Sequence, residues 1–429
     1  MFSFLKSSRM ASAGFIQIVT FIIAGLCQLI VTLLLAKYYD KDSLGIISII
    51  SIINLFGFSL AEAGVCNYVI YKGAIEKRCF FTIQWAILFL SSLMSLCSLL
   101  IYAFEYSEVI CNSVAAASLC FPLLSLGVVQ YSKLICDYRF KDILYIEVFF
   151  RVSLVAFVYF FLFYDVFHNA IYGYVCSLIL SYIVRLLAIH VRTKDYTFVS
   201  YKSDFDRSVF SSFMSFYMSQ IGSNAINAVG NKLDEVIILS SLGLSNLGQY
   251  FIVKQFVMQL FSALYQVKRR LLMPLWSNKG TFNVDKVLYL SFLIVCLTTL
   301  TLYVTSNLVS VDFIAASLNS NLIMVFGVIS MIALRYMSGN LQCAYFQVKG
   351  KPYVELYWNV IQTSFISFFI ALAVMFFNIS TVEQFVKVIC FLYFLVSIVG
   401  YIYFSWHGIK MKFVFCFLFF AFEFAFVMF

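Results

Sequence analysis

The chain has 429 residues, of which 63% are hydrophobic and only 11% charged, whereas a soluble domain averages about 45–50% and about 25%. No water-enclosed core absorbs that much apolar surface, so a soluble fold is excluded and the bilayer is the solvent. The formal charge of +9 would point to nucleic acid in a soluble protein, but here the basic residues lie between apolar runs, so no nucleic-acid partner is expected.

A membrane helix needs about 20 mostly apolar residues. Twelve such spans are predicted, over roughly 14–36, 44–71, 80–104, 109–132, 143–164, 168–190, 210–241, 247–267, 287–309, 321–347, 353–377 and 383–405. The first is too long for a signal-peptide core and is kept as a span. With 50 Phe and 28 Tyr against 3 Pro, the spans are expected to be long, uninterrupted helices with aromatic rings for lipid and interface. The 12 Cys lie mostly inside apolar runs and form no CxxC pair, so they read as small hydrophobes; neither a disulfide framework nor a metal site is indicated.

With the N-terminus in the cytoplasm, twenty-one Lys and Arg fall in inner segments, while the outer loops hold only Lys37, Lys41 and Lys387. Reversing the topology inverts that bias. The polar stretch from His190 to Arg207 divides the chain into a six-helix bundle over 1–190, a cytoplasmic linker over 191–208 and a second six-helix bundle over 209–405. A hydrophobic segment over 406–429 follows; its final run from Phe413 contains Glu423 and forms either a thirteenth span or an interfacial piece. The halves are weakly alike: Asp42-Ser43-Leu44-Gly45 corresponds to Ser245-Asn246-Leu247-Gly248. Such a parallel repeat places a transport path between its halves. The fold expected is thus an all-α integral membrane protein of about twelve helices around a central cavity.

Charges inside the spans are costly, about 2.5–3.5 kcal/mol each at a helix centre on translocon scales. They comprise Arg151, Arg185, Lys232, Lys254 and Arg335 with Glu62, Glu147, Asp234 and Glu235. Arg185 lies one turn from a span end and is expected to snorkel; Glu147 and Arg151 stand at i,i+4 and can neutralise each other. In the seventh span Tyr217, Gln220, Asn224, Asn227, Asn231 and Asp234 recur on one helical face. The tenth repeats the pattern with Arg335, Ser338, Gln342 and Tyr345, and the eleventh with Glu355, Asn359 and Gln362. Interhelical hydrogen bonding, measured at about 0.6 kcal/mol per contact, explains one such residue. Three helices with continuous stripes, two of the helices carrying cations, predict a hydrophilic lumen. The substrate-facing cations expected are Arg335 and Lys254, with Arg151 and Lys232 as weaker members. Asp234, Glu62 and Glu235 are the candidates for carrying a coupling proton or sodium ion. The three histidines lie near span ends, and there is neither a nucleophile motif nor a GxxxxGK[ST] phosphate loop, so no enzyme and no cofactor is expected.

Several short motifs then resemble the polysaccharide-transport branch of the multidrug/oligosaccharidyl-lipid/polysaccharide exporter superfamily, in particular O-antigen (Wzx-type) flippases. They are Leu60-Ala61-Glu62-Ala63-Gly64, Tyr138-Arg139-Phe140-Lys141, Leu233-Asp234-Glu235, Leu242-Gly243, Leu247-Gly248-Gln249-Tyr250 and Gly350-Lys351. The resemblance covers nearly the whole chain and rests on order and spacing more than on any one motif. It implies two six-helix bundles in a V, alternating access, and an undecaprenyl-pyrophosphate-linked glycan moved across the bacterial inner membrane. It also implies membrane lipid and, in the same pathway, polysaccharide polymerase and chain-length proteins as partners. The competing readings are a drug exporter of the same superfamily, an uncoupled lipid scramblase and a membrane polysaccharide polymerase. Lys254 and Arg335 argue against the first, because cationic drugs favour acidic cavities. The short outer loops argue against the last.

Overall fold

A computed structural model describes residues 2–62, 65, 68–69, 77–104, 106–137, 139–164, 166–167, 169–193, 205–259, 327–329, 331–332, 352–376 and 379–407. In chain order the helices are α1 (Phe2–Tyr38), α2 (Lys41–Glu62), α3 (Lys77–Cys97, continued by a 3-10 turn Ser98–Ala103), α4 (Glu108–Ser118), α5 (Cys120–Cys136), α6 (Phe140–Phe163), α7 (Ala170–Arg192), α8 (Arg207–Leu242), α9 (244–259), α10 (Pro352–Phe376) and α11 (Val382–Trp406). Seven stretches among the described residues are long and apolar enough to cross a membrane, and each coincides with a predicted span. The ninth span, most of the tenth and the segment after residue 407 lie outside the described residues.

The chain divides into two compact units, Met1–Lys232 and Leu233–Phe429. In the first, α6 packs chiefly on α7 and α1, α5 on α3, α7 and α2, and α4 on α2 and α7. Its core gathers Tyr68, Phe80, Phe150, Tyr182, Phe213 and Tyr217. α6 shows how a membrane helix uses two apolar faces. Ile143, Ile146, Phe150, Leu154 and Val158 are buried at helical spacing, while Tyr145, Phe149, Val152, Phe160 and Phe163 are exposed on the rest of its surface, where lipid replaces water.

The fourth span is not the uninterrupted helix expected. It breaks at Leu119, whose N–H turns back to the Ala116 carbonyl at 3.1 Å. The cause is Pro122 three residues on: it has no N–H for the Ser118 carbonyl and its ring crowds that turn. Serines join the pieces to α3, Ser91 to Ser125 and Ser95 to Ser118, both at 2.9 Å, and the Gln84 amide donates to the Ser125 carbonyl at 2.9 Å. Gly57 allows a close approach of α2 to α5, since a Cβ there would stand 2.2 Å from the Phe121 ring.

α8 starts on Asp206, whose Oδ1 accepts from the Ser208 N–H at 2.8 Å, the Ser208 hydroxyl at 2.7 Å and the Val209 N–H at 3.2 Å. These bonds hold its carboxyl below the usual carboxylate range. α8 ends at Gly243, whose φ of 86° suits a residue without Cβ. The Gly243 N–H closes α8 on the Ile238 carbonyl at 3.1 Å, and its own carbonyl accepts the first bond of α9 from Leu247 at 3.2 Å. Asn246 Nδ2 covers the Leu242 carbonyl at 2.8 Å. One glycine therefore ends one helix and begins the next, and α8 and α9 fold back as a hairpin.

In the second unit α10 and α11 pair around Trp358, whose ring packs at a tilt against Tyr403 and Phe404. Thr381 caps α11 by accepting from the Gln384 N–H at 3.3 Å.

Candidate functional site: two buried charge clusters

The hairpin decides the site in the second unit. Asp234 and Glu235 precede Gly243 by nine and eight residues, and Tyr250 and Lys254 follow it by seven and eleven, so the turn lays the two pairs against each other. Lys254 Nζ stands 2.8 Å and 2.7 Å from the two Asp234 oxygens and 3.0 Å from Glu235 Oε1. An ammonium has three N–H donors, and here three carboxylate oxygens meet it. The Tyr250 hydroxyl donates to Asp234 Oδ2, with Met331 Sδ 3.6 Å away, and Lys254 Nζ lies 5.7 Å from the centre of the Tyr250 ring. Glu235 and Tyr250 are 0% exposed, and Asp234 and Lys254 7%. Such a group persists inside a membrane protein because each charge is met by an opposite one.

The first unit holds a second cluster spread over four helices. Arg185 of α7 pairs with Glu147 of α6 at 3.1 Å, the side chains being 12% and 15% exposed. Its guanidinium lies 5.2 Å from the ring centre of Tyr131 on α5 and 5.3 Å from that of Phe150. Arg151 stands 5.0 Å from the Phe150 ring centre and donates from Nη1 to Gln28 Oε1 on α1 at 3.0 Å. A planar, weakly hydrated guanidinium tolerates aromatic faces better than an ammonium does. The expectation that Arg185 snorkels is overturned: it points inward to Glu147, because a carboxylate on the facing helix offers more than the bilayer surface. At one end of α6, Asp142 bonds both Arg139 Nε at 2.8 Å and Arg192 Nη1 at 3.5 Å, and Arg139 Nη2 donates to the Arg192 carbonyl at 3.0 Å.

The other expected site residues fall variously. Lys232 is buried and donates to Ser51 Oγ at 3.2 Å. Asn231 is half-buried, Gln362 buried and Asn359 half-buried. Tyr217, the first residue of the polar stripe, packs into the core against Phe213 at 5.2 Å. The side chains of Glu62, Gln220, Asn224, Asn227 and Glu355, and all of Arg335, Ser338 and Gln342, lie outside the described residues. Sequence reasoning missed Tyr250 and Gln28. Tyr250 stands at i−4 to Lys254 and was detectable by helical spacing; a lone Gln in an apolar span carries no such signal.

Comparisons with known proteins agree with this architecture. A 171-residue segment is 27% identical to the amylovoran biosynthesis protein AmsL of Erwinia amylovora, covering 37% of this chain and 42% of that one. The chain thus spans less than half the length of that relative. An inward-facing multidrug resistance MATE family transporter of the MOP superfamily superposes with a TM-score of 0.65 at 13% identity, over 91% of this chain and 94% of that one. An outward-facing structure of such a transporter gives 0.61 at 12% identity, over 93% and 95%. At these identities the likeness is one of fold, and it establishes a multi-pass helical membrane protein of that fold. The sequence profile of a family described as polysaccharide biosynthesis protein matches residues 34–280, a range that includes every charged side chain of both clusters. With more than half of its residues inside that match, the chain belongs to this polysaccharide biosynthesis family.

Proposed function

We propose that the protein is a flippase that carries an undecaprenyl-pyrophosphate-linked oligosaccharide, an O-antigen or similar repeat unit, from the cytoplasmic to the periplasmic leaflet by alternating access. What carries this reading is that one chain joins a polysaccharide-biosynthesis family to the fold of exporters over 91% of its length. The first indicates glycan, and the second movement across a bilayer. The positive-inside distribution of Lys and Arg puts the N-terminus in the cytoplasm, with bundles over 1–190 and 209–405 joined by the linker 191–208. Arg335, Arg151 and Lys232 serve the anionic substrate, since Arg grips phosphate with two hydrogen bonds. The stripe of Gln220, Asn224, Asn227, Asn231, Ser338 and Gln342 wets the path for sugar. Lys254, held by two carboxylates, is assigned instead to the group with Asp234 and Glu235, which along with Glu62 are the candidates for coupling transport to an ion.

The test is a deletion strain analysed for lipid-linked repeat units. The expected outcome is that they collect on the cytoplasmic leaflet, that surface polysaccharide is lost, and that the wild-type chain restores both while Arg151→Ala combined with Arg335→Ala does not. Normal surface polysaccharide in the deletion strain, with altered sensitivity to cationic drugs, would replace this reading with small-molecule export.

A further inference from the structure

We infer that the basic cluster where α6 begins and α7 ends binds an anionic phospholipid. Arg139, Lys141 and Arg192 hold its headgroup, and its acyl chains lie on the apolar surface that α6 and α7 present beneath them. These three residues have no part in the function proposed above, and the inference holds whichever leaflet meets that end of the bundle.

Positive charge is left over at this end. Asp142 meets Arg139 Nε at 2.8 Å and Arg192 Nη1 at 3.5 Å, so one carboxylate faces two guanidinium groups, whose side chains stay 43% and 40% exposed. Both are held in place: Arg139 Nη2 donates to the Arg192 carbonyl at 3.0 Å, and Arg192 lies 4.5 Å from the ring centre of Tyr145. A guanidinium carries five N–H donors, and the contacts of Arg139 use two. Lys141, in the first turn of α6, is exposed. With Lys133 and Asp137 at the end of α5 included, four cations stand against two carboxylates, and the exposed His190 adds no negative charge.

The surface beneath makes the ligand a lipid and not a free anion. Tyr145, Phe149 and Val152 recur on one face of α6 at i, i+4 and i+7 and are exposed, as are Leu187 and Val191 on α7. The contact of Arg192 with Tyr145 sets the end of α7 over that face. The basic groups therefore crown an apolar strip, in the order of a phospholipid itself, charge at the surface and hydrocarbon below. Basic groups between membrane helices at a bilayer surface recognise anionic headgroups, and Arg grips a phosphate with two hydrogen bonds.

The experiment uses the purified full-length protein, stripped of lipid in detergent, with phosphatidylglycerol or phosphatidylcholine added. Bound lipid is counted by native mass spectrometry, and melting temperature is recorded on the same samples. The wild type is expected to hold phosphatidylglycerol about tenfold more tightly than phosphatidylcholine and to melt higher with it, since a ligand of the folded state stabilises it by mass action. A basic residue at a bilayer surface is worth about fivefold in affinity for anionic lipid. Lys141→Ala should therefore lose about fivefold, and Lys141→Ala with Arg139→Gln should hold the two lipids alike. Lys41→Ala removes the same charge at the other end of the bundle, where the Tyr39 hydroxyl donates to the Ala170 carbonyl at the start of α7; it should leave the preference unchanged. Equal retention of both lipids by the wild type overturns the inference. So does a preference that the double variant keeps, or that Lys41→Ala lowers as much as Lys141→Ala does. Release of bound phosphatidylglycerol by inorganic pyrophosphate at equal concentration also overturns it, since the site would then be indifferent to acyl chains. If the double variant is not recovered folded, Lys141→Ala decides by the same criteria, because an exposed side chain is replaced without disturbing the fold. Any of these failures leaves the flippase reading standing, because export by cells is not measured.

Discussion

The two buried charge clusters invite comparison. In the first unit two arginines face one glutamate among the named side chains, and in the second two carboxylates face one lysine. The arginine cluster is assembled from the three consecutive helices α5, α6 and α7 together with the distant α1, and its guanidinium groups lean on aromatic rings. The lysine cluster is assembled from the two arms of one hairpin around Gly243. A guanidinium spreads its charge and tolerates ring faces, so Arg185 and Arg151 each combine a polar partner with aromatic contact. An ammonium is a compact charge that needs oxygens for all three donors, and the hairpin supplies three. The residue type therefore follows from the environment its helices can build, and an Arg-for-Lys exchange is not conservative in either place.

The sharpest break of this comparison is Lys254→Met. It leaves two carboxylates without their central charge, and losing one partner of a buried pair costs about 3–5 kcal/mol. Purified protein should melt far lower than wild type, and Lys254→Met combined with Asp234→Asn should recover part of the loss. Glu235→Gln should be milder than Lys254→Met, because Lys254 keeps both Asp234 oxygens.

In the other cluster Arg185→Ala removes both the pair with Glu147 and the stacking on two rings. Thermal unfolding should register about 3 kcal/mol, at the lower end of that range because the pair retains some exposure. Arg185→Lys keeps the charge and should lose only about 1 kcal/mol of stacking. If Lys serves as well as Arg here while Arg fails to replace Lys254, the distinction between the clusters is one of size alone.

Gly243→Ala tests whether the hairpin positions the second cluster. Space is open around that glycine, so the cost is the left-handed backbone, about 1 kcal/mol, with Asn milder than Ala. The loss caused by Lys254→Met should shrink when Gly243→Ala is added, since the two arms then meet differently.

The smallest effect is at Asp206. Its folded-state pKa is lowered by the hydrogen bonds from Ser208 and Val209, so the cap stabilises α8 at neutral pH, and the contribution disappears as acid protonates the folded-state carboxylate. The melting difference between wild type and Asp206→Ala should be constant near neutrality and vanish at low pH. Asp206→Asn should retain much of the cap.

What the sequence determined by itself was the solvent, the helices and the list of buried charges. Apolar runs of about 20 residues have no alternative to helix in lipid, where every backbone group must be satisfied within the segment. Even the break of the fourth span was legible at Pro122, had its missing N–H been weighed against the run's hydropathy. The clusters were legible as residues but not as partners. Glu147 stands at i,i+4 to Arg151, yet its pair is with Arg185, 38 residues away; Lys254 looked like a free cation until the turn at Gly243 brought Asp234 and Glu235 to it. Helical periodicity says which residues share a face, and it is silent on which face of which helix lies opposite. That choice belongs to packing, and the tertiary structure alone made it: Gly57 lets α2 close on Phe121, and Gly243 reverses the chain.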